Sequence, residues 1–492
     1  MKVGIIGAGV GGLGSAIRFA QAGHDVTVFE ANDHPGGKIN NLKLGGYRWD
    51  MGPSVFTAPE YIKALYELCD EDFATFKYKK LEESFRYFYH DGTRFSLSSN
   101  HEKLISTLVN ELGEEEETIK SYLAKCGKNY KAISPLFIET SLHRWRHLMN
   151  GKLFKALARI PKYKLNKTMD EENSTLFKNP KTVQLFNRYS TYNGSSPFKA
   201  PAMLNMIQHL ELNEGVFLPK NGMVQIARSL HQLAVNQGAK FLFNEKVKAI
   251  THKNKSVTGL ETNKSKYAFD IVVSNMDVLH TYKRLLSDYP VHPDKILEQE
   301  RSSSAMVFYW GIKKSFPELG VHNMFFADDY KEEFKHLFDT KTLYHDPSIY
   351  IHITSKEKTE DAPKDSENWF VMINAPINTG QDWTEYRERV RSIILNRLTS
   401  ELSCDIETLI EEEFVMDAPF IEEKYSGAMG SIYGNSSNNK YAAFYRHANF
   451  SKELQGLYFV GVTVHPGGGI PLALNSAKIA FECFEEDYQL KS

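Results

Sequence analysis

Residues 2–30 read KVGIIGAGVGGLGSAIRFAQAGHDVTVFE, and this stretch decides the fold. Its first six residues form a short apolar run rich in β-branched side chains, which is typical of a buried parallel strand. Gly7, Gly9 and Gly12 follow at G-x-G-x-x-G spacing, and a helical pattern continues to about Ala22. The closing HDVTVFE alternates as a second strand does. The stretch therefore predicts a βαβ unit in an α/β protein.

Each residue type in this unit suits a nucleotide site. Gly7 permits the tight turn from strand to helix, Gly9 lets the backbone approach a pyrophosphate, and Gly12 allows helix and strand to pack closely. The N–H groups at the helix N-terminus favour a diphosphate. Glu30 stands 18 residues after Gly12, where a carboxylate accepts hydrogen bonds from ribose hydroxyls. The predicted Rossmann-type site comprises Gly7, Gly9, Val10, Gly11, Gly12, Glu30 and Ala31.

The next segment separates FAD from NAD. Gly36-Gly37-Lys38 is followed by Asp50-Met51-Gly52-Pro53-Ser54. An acidic strand end, a Gly-Gly pair and an Asp-x-Gly-Pro turn resemble FAD-containing amine oxidases and carotenoid desaturases, whereas nicotinamide dehydrogenases do not continue in this way. The resemblance implies an FAD cofactor with further contacts from Gly37, Lys38, Gly52, Pro53 and Ser54.

A second strand, turn and helix are predicted near the C-terminus. Residues 457–461, LYFVG, indicate a strand entering a glycine turn, and a helix is expected from about Leu472 through Phe484. In the superfamily that the chain resembles, this unit lies over the flavin, where a helix N-terminus stabilises negative charge on the reduced ring. The implied contacts are Gly461, Val462, Gly469, Ile470, Pro471 and Leu472.

Through most of its length the chain resembles the bacterial-type phytoene desaturase family of carotenoid desaturases. Residues 214–223, EGVFLPKNGM, are similar to a central family segment, although Asn221 replaces a usual glycine. Residues 244–250 and 270–277 resemble strands that return to the FAD domain. The resemblance adds Val247 and Asn275 to the expected FAD contacts.

One branch of that family is closest. The turn GVTVHPG departs from the common Gly-Ala-Gly-Thr-His-Pro-Gly, and residues 464–472, VHPGGGIPL, are most similar to the carotenoid 3,4-desaturases, which act on 1-hydroxylated end groups. The resemblance implies hydride transfer to the flavin and proton loss from the neighbouring carbon, which forms a C=C bond. A phytoene-type desaturase, a polyene isomerase or saturase, an amine oxidase and a non-catalytic flavin- or lipid-binding protein remain alternatives.

The proton acceptor for this reaction is left open. His465 is the one titratable group in the predicted flavin-facing turn, so we take it as a candidate catalytic residue. A structural histidine capping the turn is the alternative. Quinone or oxygen is the electron acceptor that the resemblance implies, because a second dinucleotide fingerprint is absent from the sequence.

The middle of the chain suits a large apolar substrate. Aromatic residues make up 12% of the chain, and residues 304–310 and 369–373 predict strands that could floor a tunnel. We expect a discontinuous FAD domain with an inserted α+β substrate domain, as in amine oxidases. The expected division assigns residues 1–95, 214–285 and 450–492 to the FAD domain, 96–213 to a helical membrane-facing part and 286–449 to a sheet-containing substrate domain.

Residues 141–167 are basic and amphipathic. Between His143 and Lys167 there are eight Lys or Arg residues and no Asp or Glu, with apolar residues interleaved at roughly helical spacing. Such a segment can lie at a lipid surface, from which a carotenoid would be collected. A solvated basic helix packed on the protein is the alternative.

Composition narrows the other possibilities. The formal charge of −2 provides no overall field for nucleic acid, and no nucleic-acid motif accompanies the basic segment. Four scattered cysteines argue against a disulfide framework, a zinc site or an iron–sulfur cluster, so we expect no metal. No apolar run approaches the roughly 20 residues that span a bilayer. We therefore expect a cytoplasmic protein that associates peripherally with the membrane.

Overall fold

The computed structural model describes residues 1–144, 164 and 166–489, and it contains the predicted βαβ unit. Strand β1 (Lys2–Ile6), helix α1 (Val10–Gln21) and strand β2 (Asp25–Phe29) follow one another without interruption. They belong to a parallel five-stranded sheet of order β19-β13-β1-β2-β9. Its other strands are β9 (Lys240–Leu242), β13 (Ile271–Ser274) and β19 (Leu457–Phe459).

Three short sheets surround this layer. Their strands are β3 (Asn40–Leu44) with β4 (Tyr47–Met51), β5 (Tyr78–Lys80) with β8 (Phe217–Pro219), and β10 (Val247–Lys253) with β11 (Ser256–Thr262) and β12 (Lys266–Ala268). All three are antiparallel.

A second large sheet has seven strands in the order β18-β14-β17-β16-β15-β6-β7. All of its neighbouring pairs are antiparallel except β15 and β6, which run parallel. The strands are β6 (Glu83–Phe88), β7 (Arg94–Ser98), β14 (Ser304–Ile312), β15 (His322–Phe325), β16 (Ile349–Ile353), β17 (Glu367–Ala375) and β18 (Ile410–Met416).

Helices cover both sheets. In the described ranges, the α-helices after α1 are α2 (Glu60–Leu68), α3 (His101–Leu112), α4 (Glu116–Phe137), α5 (Met169–Leu176), α6 (Pro180–Asn187), α7 (Val224–Asn236), α8 (Val278–His280), α9 (Asp294–Leu297), α10 (Tyr330–Lys335), α11 (Trp383–Leu402), α12 (Ala418–Tyr425), α13 (Ala442–Tyr445) and α14 (Ile470–Gln489). Helix α1 packs between α7 and α14, and these helices share one apolar core with the parallel sheet. Among the described residues, no helix is both long and apolar enough to cross a membrane.

Strands β14 and β17 confirm the two strands predicted in the middle of the chain, and they are neighbours. Their side chains alternate between two environments, as the period of a strand requires. Met306 and Phe308 face a core formed with α11, whereas Ala305 and Val307 face a large cavity. The seven-stranded sheet therefore forms a wall of that cavity.

The strand pairing differs from the expected division at one boundary. That division ended the first part of the FAD domain at residue 95, but β6 and β7 belong to the seven-stranded sheet, because β6 pairs with β15. Most of the basic segment 141–167 lies outside the described residues, so its predicted membrane-facing helix stays a prediction.

Candidate active site

The N-terminus of α1 opens onto the large cavity. Gly9, Val10 and Gly11 line the wall there, and Gly9 caps the helix without a side-chain hydrogen bond. The first N–H groups of the helix are thus available to an anionic ligand, as a diphosphate site requires.

Two glycines show why this turn is free of side chains. A Cβ atom on Gly12 would lie 2.0 Å from the carbonyl oxygen of Gly7. The helix can therefore pack this close to the end of β1 only if residue 12 is glycine. A Cβ atom on Gly11 would lie 2.6 Å from Asn275 Oδ1 and 2.7 Å from the backbone nitrogen of Gly461. The turn after β1, the end of β13 and the turn after β19 therefore form one narrow cradle. Its shape fits the extended diphosphate of FAD.

Glu30 is held in place beside this cradle. Its Oε2 accepts a hydrogen bond from the Ala8 backbone at 2.8 Å, and its Oε1 accepts from the Asn32 backbone and side chain, both at 2.9 Å. The backbone of Glu245 donates to the Glu30 carbonyl at 2.9 Å, which brings the start of β10 and Val247 towards the same end of the fold. These contacts fix the carboxylate at the end of β2, where the sequence places a ribose contact.

The Gly-Gly and Asp-x-Gly-Pro segments meet on the cavity wall. Gly37, Lys38, Gly52 and Ser54 line it together. The Lys38 ammonium donates a hydrogen bond to the Ile432 carbonyl at 2.5 Å. Burial lowers the pKa of Lys38 to about 8, and the nearby Asp277 carboxylate opposes this shift. Lys38 thus supplies positive charge inside the cavity wall.

The C-terminal turn forms the facing wall. Gly461 and Val462 line it, and α14 begins at Ile470 directly after Gly469. A second helix N-terminus therefore faces the cavity, and the residues around its start that line the wall are Gly467, Gly468, Gly469, Ile470, Pro471 and Leu472.

Most of the predicted cofactor contacts gather at this end. Those that line the cavity are Gly9, Val10, Gly11, Gly37, Lys38, Gly52, Pro53, Ser54, Asn275, Gly461, Val462, Gly469, Ile470, Pro471 and Leu472. Those behind the wall or beside it are Gly7, Gly12, Glu30, Ala31 and Val247. The glycine cradle, the two helix N-termini and the anchored Glu30 carboxylate together suit FAD. When bound, FAD would supply the hydride acceptor of the site.

Beyond the predicted cofactor contacts, the cavity lining is mainly apolar. The whole cavity, with its cofactor end, has a volume of about 3160 Å³ between the protein atoms, counting the part that is open to solvent. The apolar side chains in its wall include Phe85, Ile133, Phe137, Met203, Leu204, Met206, Ile207, Leu210, Val307, Met324, Phe370, Met372, Met416 and Ile421. Such a lining suits a hydrocarbon ligand.

A buried ion pair interrupts this lining. Arg188 lines the cavity and pairs with Glu211 at 2.8 Å, and Glu211 also accepts from the Tyr189 hydroxyl at 2.7 Å. The guanidinium is stacked over the rings of Phe85 and Tyr189, at 4.3 and 4.5 Å from their centroids. The two charges compensate each other, so this pair adds no net charge to the wall.

His465 lies elsewhere than expected for a catalytic residue. Its ring is only 1% exposed and does not line the cavity. Nε2 donates to the Thr140 carbonyl at 2.9 Å, and the ring packs edge-on against His143. Burial lowers the pKa of His465 to about 3, so the side chain is neutral at physiological pH. The catalytic assignment is therefore corrected: His465 fixes the turn before Pro466, whose ring does line the cavity.

Several residues of the cavity wall were not among the predicted contacts. Asp277 and Arg446 line it as buried charged groups, and Tyr350 lies between Ser54 Oγ at 2.9 Å and His322 Nδ1 at 2.7 Å. Asp277 follows Asn275 closely and could have been found from that motif. Within the described ranges, no cluster of three or more His, Cys, Asp or Glu residues could hold a metal ion.

Comparison with known proteins gives the family. Residues 10–480 match the family of flavin-containing amine oxidoreductases. The chain belongs to this family. The predicted flavin cofactor and oxidoreductase class are thereby confirmed, as is the predicted Rossmann-type α/β architecture.

Relatives of this flavin-containing oxidoreductase include carotenoid enzymes. A 1-hydroxycarotenoid 3,4-desaturase from a Flavobacterium species is 46% identical over 475 residues, covering 96% of this chain and 97% of that protein. A 4,4'-diapophytoene desaturase from Staphylococcus haemolyticus is 31% identical over 506 aligned positions, with 99% of each protein covered. The predicted membership of the carotenoid desaturase family is thus confirmed.

A solved structure shares the architecture of this oxidoreductase. Cyclohexylamine oxidase from Brevibacterium oxydans aligns with a TM-score of 0.62 at 15% identity, covering 99% of each chain. At this identity the likeness shows the fold alone.

Proposed function

We propose that this FAD-dependent carotenoid desaturase forms the 3,4 double bond of a 1-hydroxylated carotenoid. The observation that carries the proposal is one cavity whose wall holds both the predicted FAD contacts and a large apolar lining. The 46% identity to a 1-hydroxycarotenoid 3,4-desaturase supports this substrate over a phytoene-type one.

The residues of this chain orient the carotenoid and exclude water from it. A hydride leaves one carbon and a proton leaves its neighbour, so the positive charge that develops on the polyene needs a dry, rigid wall. The apolar lining supplies that wall, and the Arg188–Glu211 pair adds no net charge to it. The helix N-termini and Lys38 place positive charge at the cofactor end, where negative charge accumulates.

Anaerobic titration tests the reaction. The FAD-loaded protein is mixed with carotenoids in liposomes while flavin absorbance is followed and the pigments are analysed by mass. We expect bleaching and a product two hydrogens lighter from a 1-hydroxylated carotenoid. Pigment conversion without net oxidation would instead identify an isomerase, and bleaching only by an amine would identify an amine oxidase.

We also propose that the enzyme collects its substrate at a lipid surface. Helix α13 forms part of the cavity rim, where Ala442 and Ala443 line the wall. Its neighbouring aromatic side chains are unusually open to solvent: Tyr441, Phe444 and Tyr445 are 50 to 53% exposed. Aromatic side chains of this kind favour the interface of a bilayer. The basic segment 141–167 supports the same proposal from sequence.

The electron acceptor belongs to this proposal as well. Quinone or oxygen would reoxidise the enzyme, as the family resemblance implies. Anaerobic reoxidation of the bleached enzyme by a soluble quinone, compared with reoxidation by air, distinguishes the two.

A further inference from the structure

Asn374 brings an amide group into the sheet that forms a wall of the cavity. It belongs to β17, whose side chains alternate between two environments: Ile373 packs in the core formed with α11, whereas Met372 and Asn374 line the cavity. Asn374 is half-buried. Among the residues that the structure describes, its side chain makes no hydrogen bond, and neither amide atom is enclosed by protein. The amide is therefore open to the cavity and keeps its donors and its acceptor for a ligand.

The polar side chains on the adjacent strand differ in this respect. Ser348 and Tyr350, at the start of β16, also line the cavity. The Ser348 hydroxyl donates to Glu333 at 2.7 Å, and the Tyr350 hydroxyl donates to Ser54 at 2.9 Å. Their hydrogens are thus held by protein acceptors, which leaves Asn374 as the free donor on this part of the sheet. The bond to Ser54 also ties β16 to the predicted cofactor contacts.

The strand on the other side of Asn374 leads to the cofactor end as well. Asn374 lies directly opposite Ala305 of β14, whose methyl group leaves the amide uncovered. Two residues before Ala305, the Ser303 carbonyl accepts a hydrogen bond from the Ile432 backbone at 3.2 Å. The Ile432 carbonyl in turn accepts from the Lys38 ammonium. Because β17 lies between β14 and β16, both strands that flank Asn374 are attached to predicted cofactor contacts.

From this placement we infer that the Asn374 amide hydrogen-bonds the hydroxyl group of the carotenoid end group. The inference rests on the proposed function and names the residue that selects the hydroxylated pigment. The amide N–H can donate to the hydroxyl oxygen, and the amide oxygen can accept the hydroxyl proton. Carbon 1, which carries the hydroxyl, is two bonds from carbon 3, so the hydroxyl must be held close to the bond that is oxidised and hence to the cofactor. A neutral amide meets this need without adding net charge to the wall.

The same contact disfavours a pigment without the hydroxyl. When an apolar end group fills the cavity, the Asn374 amide loses water and gains no partner, which costs free energy. A site built to hydrogen-bond a hydroxyl group rejects the analogue that lacks it for this reason. Replacing the amide by an apolar side chain of similar size should therefore act in opposite directions on the two pigments.

The test compares a 1-hydroxylated carotenoid with the analogue that lacks only this hydroxyl, both in phosphatidylcholine liposomes. Anaerobic bleaching rates of the FAD-loaded protein give the efficiency for each pigment. We expect the wild-type protein to prefer the hydroxylated pigment. Asn374→Leu should lower the efficiency for it by about three- to tenfold, the size of a neutral hydrogen bond, and should raise the efficiency for the analogue. Asn374→Gln retains the amide and should keep part of the preference.

Controls separate this role from a structural or cofactor role. Asn110→Leu makes the same change at an exposed site of α3 and should alter neither efficiency. Equal losses on both pigments, or loss of bound FAD, in Asn374→Leu would overturn the inference. A wild-type protein that oxidises both pigments equally would overturn it while leaving the desaturase proposal standing. A wild-type protein that oxidises neither would overturn both.

Discussion

Glu333 is a buried carboxyl group with no ion-pair partner among the residues that the structure describes. This carboxyl group is 1% exposed and accepts hydrogen bonds from the backbone and hydroxyl of Ser348, at 3.1 and 2.7 Å. Ser348 lines the cavity. Burial raises the pKa of Glu333 from 4.5 to about 7, because water no longer stabilises the charged form. The folded protein therefore holds a proton here that the unfolded chain releases.

This difference predicts a pH dependence of stability. The stabilising effect of the retained proton is complete below pH 4.5 and is lost as the pH rises through about 7. Relative to Glu333→Gln, the wild-type free energy of unfolding should fall by about 3 kcal/mol between pH 4.5 and pH 8. Denaturant unfolding at several pH values measures it, with Glu318→Gln, at an exposed site, as the control. Parallel curves for wild type and Glu333→Gln would contradict the assignment.

His465 is expected to matter for stability and not for chemistry. His465→Ala removes the hydrogen bond to Thr140 and leaves a buried hole, which should lower the free energy of unfolding by about 2–4 kcal/mol. Turnover per bound flavin and its pH profile should stay close to wild type, because the neutral ring lies behind the cavity wall. Thermal melting and turnover normalised to bound FAD check both parts. A tenfold loss of normalised turnover would restore a catalytic role.

The first turn of α1 is the most sequence-restricted part of the cofactor cradle. Gly12→Ala places a carbon 2.0 Å from the Gly7 carbonyl, and this backbone contact cannot relax cheaply. We expect the variant to lose most of its bound FAD after purification, as measured by flavin absorbance. Gly14→Ala is the matched control, because its new carbon meets only side chains, at 3.1 and 3.3 Å from Ala477 and Leu474. It should keep its FAD and change stability by no more than about 1 kcal/mol.

Short sequence patterns could predict the elements whose geometry depends only on residues close together in the chain. The G-x-G-x-x-G turn needs particular backbone approaches, so its residues reveal the βαβ unit directly. The partner of a distant strand leaves no such trace: β6 pairs with β15 across more than two hundred residues. The same limit applies to side-chain direction. The sequence places His465 in the cofactor turn, but only the packing of Thr140 and His143 shows that its ring points away.

The part of the cavity wall that lies outside the motifs could not be predicted from the sequence either. Ser195 and Ser196 contact Ser437 and Asn438 although 242 positions separate the bonded residues in the chain. The cofactor end could thus be predicted from residues, whereas the substrate end could not.

Membrane docking concerns the molecule as a whole, because it sets the direction from which substrate arrives. Replacing Tyr441, Phe444 and Tyr445 together by serine should weaken binding to phosphatidylcholine vesicles at least tenfold. The variant lacks the favourable free energy of moving three partly exposed rings from water into lipid. Vesicle co-sedimentation measures it. The control replaces Val235 and Val291, which are 40 and 44% exposed and do not line the cavity. Equal binding of the variant and the wild type would place the lipid contact elsewhere.

The order of strands in the parallel sheet also has a consequence for biosynthesis. The ribosome makes β1 and β2 first, but β19 and the start of α14, which complete the cradle, emerge only after residue 457. Until then the outer edge of β13 has no partner strand and the facing wall of the diphosphate turn does not exist. We therefore expect nascent chains not to retain the cofactor, and a chain that stops before β19 to be purified without FAD even when FAD is plentiful.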